Sequence, residues 1–156
     1  MKWEEFEAQE PELAGSVKAC FERYQHAVLA TLRKDGSPRL SGIEAPIRDG
    51  HLWLATAPTS QIAQDLRRDG RFALHSSLDS DQLPQGDAKI EGIAQPATAE
   101  QAATFIAGHR FDIDNLDTVA VFTTDLHRAV LTRVGDDKLC IDTWVPTTGH
   151  QVHYRT

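Results

Sequence analysis

Thr56, Thr59 and Ser60 flank Pro58 just ahead of a segment with helical spacing. A helix start leaves backbone N–H groups without intrahelical partners, and its dipole favours negative charge, so hydroxyls there can help hold an anion such as a phosphate. The same residues also suit plain N-capping. His75 has parity opposite to Phe72 and Leu74 in a strand-like run. It reads either as ligand-facing or as a hydrogen-bonded structural histidine. Trp144, in the last apolar run, is either a stacking wall for a planar ring or a core or interface residue. Lys89 reads as a solvent-facing strand residue. His150-x-x-His153 lies outside any periodic segment with no third ligand in view, so no metal site is expected. No Gly-rich phosphate loop, GxSxG elbow or HExxH occurs, and Ser76-Ser77 with scattered Asp residues makes no triad.

The 156 residues are 40% hydrophobic and 25% charged, which suits one globular domain over residues 1–156 and excludes a disordered chain. The net charge of −7 argues against a nucleic-acid partner, which needs a basic face. The short basic runs Arg33-Lys34 and Arg67-Arg68, with Arg71, read as solvated faces. No apolar run approaches the ~20 residues that span a bilayer, so no membrane partner is expected. The opening Met-Lys-Trp-Glu-Glu-Phe-Glu is acidic and carries no secretory h-region. Cys20 and Cys140 are far apart, which favours a reducing, cytoplasmic location over a disulfide scaffold.

The elements follow from periodicity. Residues 3–24 read as helical, with Pro11 dividing a short turn from a longer helix. Apolar runs at 28–32, 39–48 and 51–57 are joined by Asp35-Gly36 and Asp49-Gly50, the signature of tight hairpins. Leu52, Leu54 and Thr56 are expected on one face of the third run, Trp53 and Ala55 on the other. A helix is expected at 60–68, strands at 71–77 and 88–97, and a helix from Thr98 to about Gly108, with Gln101 in the capping-box position. Strands at 119–124, 129–134 and 139–145 complete eight, and 146–156 reads as an irregular tail. Polar loops at 79–87 and 108–116 are expected to wall a pocket. Consecutive hairpins leave no room for parallel crossovers, so the class is mainly β with short helices, as an antiparallel barrel.

The ordered series LATLRKDGSPRLSGIEAPIRDGHLWLATAPTSQIAQDLRRDGRFALHS, Leu29 to Ser76, resembles the pyridoxamine 5'-phosphate oxidase-like superfamily. GDAKIEGIA (Gly86 to Ala94) and VLTRVGDDKLCIDTW (Val130 to Trp144) resemble its second half, so the likeness covers most of residues 27–145. The resemblance implies a split β-barrel, a homodimer, and FMN or a deazaflavin cofactor at the subunit interface, serving an oxidoreductase with a small-molecule substrate. It implies cofactor contacts from Arg39, Ser41 and Glu44 on the second strand, from Thr56, Thr59, Ser60 and Gln61 at the helix start, and from Trp144. This chain departs from the oxidases in charge. Their Ser-Arg-Lys at the helix start is Ser60, Gln61 and Ile62 here, and a second-strand Lys is Glu44, while Arg39 is kept. The alternative expectation is therefore a split barrel without flavin chemistry, holding haem, another planar ligand or no cofactor. A flavin would itself carry the hydride chemistry, which agrees with the lack of a catalytic constellation.

Overall fold

The period-two runs become strands and the three- and four-step runs become helices. A computed structural model describes residues 1–77, 86–108, 118–135 and 138–155. Helix α1 (Trp3–Gln9) is followed at once by α2 (Pro11–Glu22). Glu10 between them has φ −135°, and Pro11 takes the first position of α2, where a missing N–H breaks no bond. The segment before Pro11 is thus a helix in its own right rather than a turn.

β1 (Ala27–Leu32) pairs antiparallel with β2 (Pro38–Ile43) across Asp35-Gly36. A small separate hairpin, β3 (Ile47–Arg48) with β4 (His51–Leu52), turns at Asp49 and Gly50, whose φ values of 53° and 74° are left-handed. β5 (Leu54–Thr56) leads into α3 (Gln61–Arg68), then β6 (Arg71–His75), β7 (Asp87–Pro96) and α4 (Ala99–Ala107). β8 (Ala120–Gly135), β9 (Lys138–Val145) and β10 (Gly149–Arg155) complete the described elements. The sheet order is β10-β9-β8-β7-β6-β1-β2, with β5 against the start of β8. β7 runs along one edge of β8, while β5 and β9 share the other edge at opposite ends. That arrangement leaves the large antiparallel sheet unclosed, as in a split barrel. A bulge between Glu91 and Gly92 bends β7, and Gly92 is required there because a Cβ would lie 2.1 Å from the Asp125 carbonyl oxygen.

The core lies between the sheet and α1–α2, where Trp3, Phe6, Val17, Leu29, Ile90 and Leu131 are buried together. A smaller cluster joins Trp53 to Phe105 and Val121. No described helix is long and apolar enough to cross a membrane.

Four further sequence expectations are corrected. The run 39–48 is not one strand: β2 ends at Ile43, and the Pro46 carbonyl accepts from the Trp53 N–H instead of a ladder partner. The run 51–57 breaks at Trp53, because Leu52, Trp53 and Leu54 are all buried, Trp53 in the second cluster. The runs 119–124 and 129–134 are one strand, with Leu126 pointing inward across the polar stretch between them. The tail expected to be irregular contains β10, paired with β9 from Gly149↔Val145 to Arg155↔Leu139. Six of its seven residues are exposed, so no apolar alternation announces it.

Candidate functional site

Two cavities lie along one seam. The first, of about 450 Å³, opens between the end of β2 and the end of β5. Gly42, Glu44 and Pro46 form one wall, Ala55 to Ala57 the other, and Phe105 and Val119 add apolar surface. His26 stands on the β2 side, its Nε2 4.0 Å from Glu44 Oε1. Gln25 Nε2 donates to the same Glu44 oxygen at 2.7 Å, which holds that side chain. The groove therefore presents a carboxylate and an imidazole beside an apolar wall.

The second cavity, of about 660 Å³, lies further along β2 and α3, lined by Arg33, Lys34, Asp35, Arg39, Gln61, Gln64, Asp65 and Arg68. Its organising group is Asp65, a carboxylate 2% exposed on the inner side of α3. Arg39 Nε donates to it at 2.7 Å, Arg68 Nη2 at 2.8 Å and Thr31 Oγ1 at 3.0 Å. Burial alone raises the Asp65 pKa, but the hydrogen bonds from Arg68, Arg39 and Thr31 outweigh it and hold the carboxyl below the usual range. Arg68 also donates to the Leu32 carbonyl, so one cluster ties α3 to β1 and β2.

The start of α3 lies between the cavities. Ser60 caps the helix, its Oγ accepting from the Ala63 N–H at 3.0 Å, and Thr56 Oγ1 donates to that oxygen at 3.1 Å. The Thr59 carbonyl accepts from Gln64 Nε2 at 3.1 Å. Plain capping is thus one job these residues do. Gln61 is exposed at the first helical position, and its Oε1 accepts from Arg39 Nη2 at 3.5 Å.

Glu44 and Thr56 therefore meet in the first cavity, and Arg39 and Gln61 in the second. Ser60 and Thr59 occupy the segment between, and Ser41 lies on β2 between Arg39 and Glu44, opposite Leu29. Trp144 is a correction. It is 0% exposed and packs 4.3 Å from the Phe6 ring beneath α1, so it fills the core and walls neither cavity. His75 takes the structural reading: its Nδ1 lies 2.6 Å from the Ser76 carbonyl and its Nε2 3.6 Å from Asp87. Lys89 pairs with the same Asp87 at 2.8 Å. His150 sits on Asp142 at 2.8 Å, and no group of three potential metal ligands exists among the described residues. Of the pocket-walling loops expected at 79–87 and 108–116, residues 79–85 and 109–116 lie outside the described residues.

Sequence reasoning missed His26, Phe105 and the role of Asp65. The Asp65–Arg68 spacing of three on a helix was a readable signal for an ion pair. Nothing local foretold that Asp65 would also capture Arg39 from another strand.

A family model described as pyridoxamine 5'-phosphate oxidase matches residues 13–112. The haem-binding protein from Mycobacterium smegmatis has a similar structure, with TM-score 0.66 and 22% identity over 86% of this chain and 58% of that one. This chain thus spans little more than half the length of that protein. PhzG from Burkholderia lata, in complex with tetrahydrophenazine-1-carboxylic acid, matches at TM-score 0.69 and 12% identity over 88% of this chain and 86% of that one. HutZ, the haem storage protein from Vibrio cholerae, matches at TM-score 0.57 and 15% identity over 74% and 90%. Identities this low establish a common fold alone. No curated protein sequence matches the chain.

Proposed function

The chain belongs to the pyridoxamine 5'-phosphate oxidase family, and from that premise we propose that it is an FMN- or deazaflavin-dependent oxidoreductase acting on a small molecule. The groove between β2 and β5 would hold the cofactor ring, and the start of α3 its phosphate. One observation carries this reading: both cavities draw lining residues from the same two segments, β2 with its extension to Pro46 and the stretch from Ala55 to Arg68. Arg39 and Gly42 are three strand steps apart, roughly 10 Å at 3.3 Å per residue, enough for a short polyol chain between ring and phosphate. Arg39 keeps part of its guanidinium free of Asp65, and the first N–H groups of α3 add a favourable dipole. A bound flavin would supply hydride transfer. This chain's residues would hold and orient it, and the Glu44 carboxylate would oppose negative charge on the ring.

The outer face of β1, β2 and β6 carries exposed Val28 and Leu40, 44% and 72% accessible, beside the exposed Ala73. We assign this apolar strip to a homodimer interface, with the second copy as the protein partner; a monomer by light scattering at micromolar concentration would refute it.

A second reading has its own support. His26 lines the groove and offers an imidazole to iron, and a solved structure of similar fold is a haem-binding protein. Absorption spectra after adding FMN or haem in turn separate the two. A shifted flavin band with FMN supports the first reading. A sharpened Soret band with haem and no flavin change supports the second.

A further inference from the structure

The groove between β2 and β5 sets a carboxylate against an apolar wall and answers it with no lysine or arginine among the described residues. We propose that Glu44 is a recognition residue for an organic cation, so that the small molecule taken by this groove carries an ammonium group on an apolar body. This rests on the proposed function for the choice of groove and names the substrate class it would serve. Only Glu44 and His26 bring ionisable side chains to the cavity. The carboxylate is held in place, because Gln25 Nε2 donates to its Oε1 at 2.7 Å. That donor is neutral, so it fixes the group without cancelling the charge. His26 Nε2 stands 4.0 Å from the same oxygen, beyond hydrogen-bond range. Glu44 Oε2 has no partner among the described residues.

Glu44 also borders a second space. A cavity of about 320 Å³ between the end of α2 and residues 44–48 shares Glu44 and Pro46 with the first, and adds Phe21 and Tyr24. Its other charged groups have partners of their own. Arg48 Nη2 donates to the Phe105 carbonyl at 2.6 Å and its Nη1 to Asp49 at 3.3 Å, while Glu22 lies 3.8 Å from Lys18. Glu44 is thus the carboxylate that the two cavities have in common. An ammonium between them would form a charge-assisted hydrogen bond with Oε2, and its apolar body would cover Pro46 and Ala55. The net charge of −7 draws cations from a distance and repels anions. A phosphate or carboxylate brought to this end of the groove meets like charge at Glu44, so the ligand is cationic there.

The test titrates the full chain at neutral pH with benzylamine, benzyl alcohol and benzoate, which share a ring and differ in charge. Calorimetry follows each, with and without FMN. The variants are Glu44→Gln, which keeps the shape and an acceptor oxygen but removes the charge, and the control Glu7→Gln, exposed on α1 and lining neither cavity. The Glu44 side chain is 40% exposed, so its variant keeps the fold. Benzylamine should bind about tenfold or more tightly than either of the other probes in at least one condition, the worth of one charged hydrogen bond. Glu44→Gln should lose that margin, the control should keep it, and added salt should narrow it. No margin in either condition, or a margin that Glu44→Gln retains, overturns the assignment. FMN is also titrated alone, so that the two readings fail separately. FMN binding without a benzylamine margin removes the cation and spares the flavin; a benzylamine margin without FMN binding does the reverse.

Discussion

Asp65→Asn should destabilise the protein and at the same time improve anion binding. The side chain is 2% exposed and joins three elements through Arg39, Arg68 and Thr31, at 2.7, 2.8 and 3.0 Å. Breaking a fully buried ion pair by removing one partner costs ~3–5 kcal/mol. Here the Arg39 and Arg68 side chains are 20% and 37% exposed, so water screens part of the interaction. Asn also retains one acceptor oxygen. The expected loss is then about 2–3 kcal/mol, or a fall in Tm of roughly 4–12 °C for a domain of this length. The folded Asp65 pKa lies below its ordinary value, so its stabilisation is complete above the ordinary Asp range and disappears as pH falls through the folded value. Wild type and variant should therefore differ at neutral pH and converge in acid. Urea denaturation at neutral and acidic pH measures this. Because the variant frees Arg39 from a competing carboxylate, orthophosphate should bind it more tightly than wild type. A variant as stable as wild type at neutral pH, or a difference that does not shrink in acid, would refute the role given to the cluster.

Arg39→Ala should weaken FMN binding by ~1.5–3 kcal/mol, the worth of a hydrogen bond to a charged group, with fluorescence quenching as the readout. Gln61→Arg should tighten FMN binding, since Gln61 is exposed beside the start of α3. Adding Ile62→Lys should cost stability with or without ligand, because Ile62 packs against the main core; equal Tm values for the single and double variants would contradict that. Trp144→Ala should cost ~3–5 kcal/mol of stability in denaturant. It should leave the flavin affinity of the folded protein unchanged, since Trp144 packs on Phe6 and lines neither cavity.

Local rules carried the fold far. Asp-Gly turns and apolar alternation placed β1, β6, β7, β9 and the start of β2, and the Thr98–Gln101 capping box that starts α4 is formed as expected. The errors arose where something other than the apolar period decided the structure. Trp53 breaks a strand because Phe105 and Val121 supply a second apolar cluster. β10 is held by the backbone of β9 while its side chains face water, so periodicity is silent there. In the site, the β5–α3 turn and Arg39 were legible because residue type and order carry them. The Asp65 bridge and the meeting of His26 with Glu44 depend on how strands lie beside one another, which a single sequence does not encode locally. Trp144 illustrates the same limit, because an aromatic on a strand reads alike whether it faces a ligand or a helix.

The most direct measurement compares FMN with riboflavin, which differ by the phosphate alone, on the same protein by fluorescence titration. With the phosphate at Arg39 and the α3 start, FMN should bind about tenfold or more tightly than riboflavin, and Arg39→Ala should erase most of that gap. Equal affinities for the two, or no saturable binding of either, would contradict a flavin phosphate site on this seam.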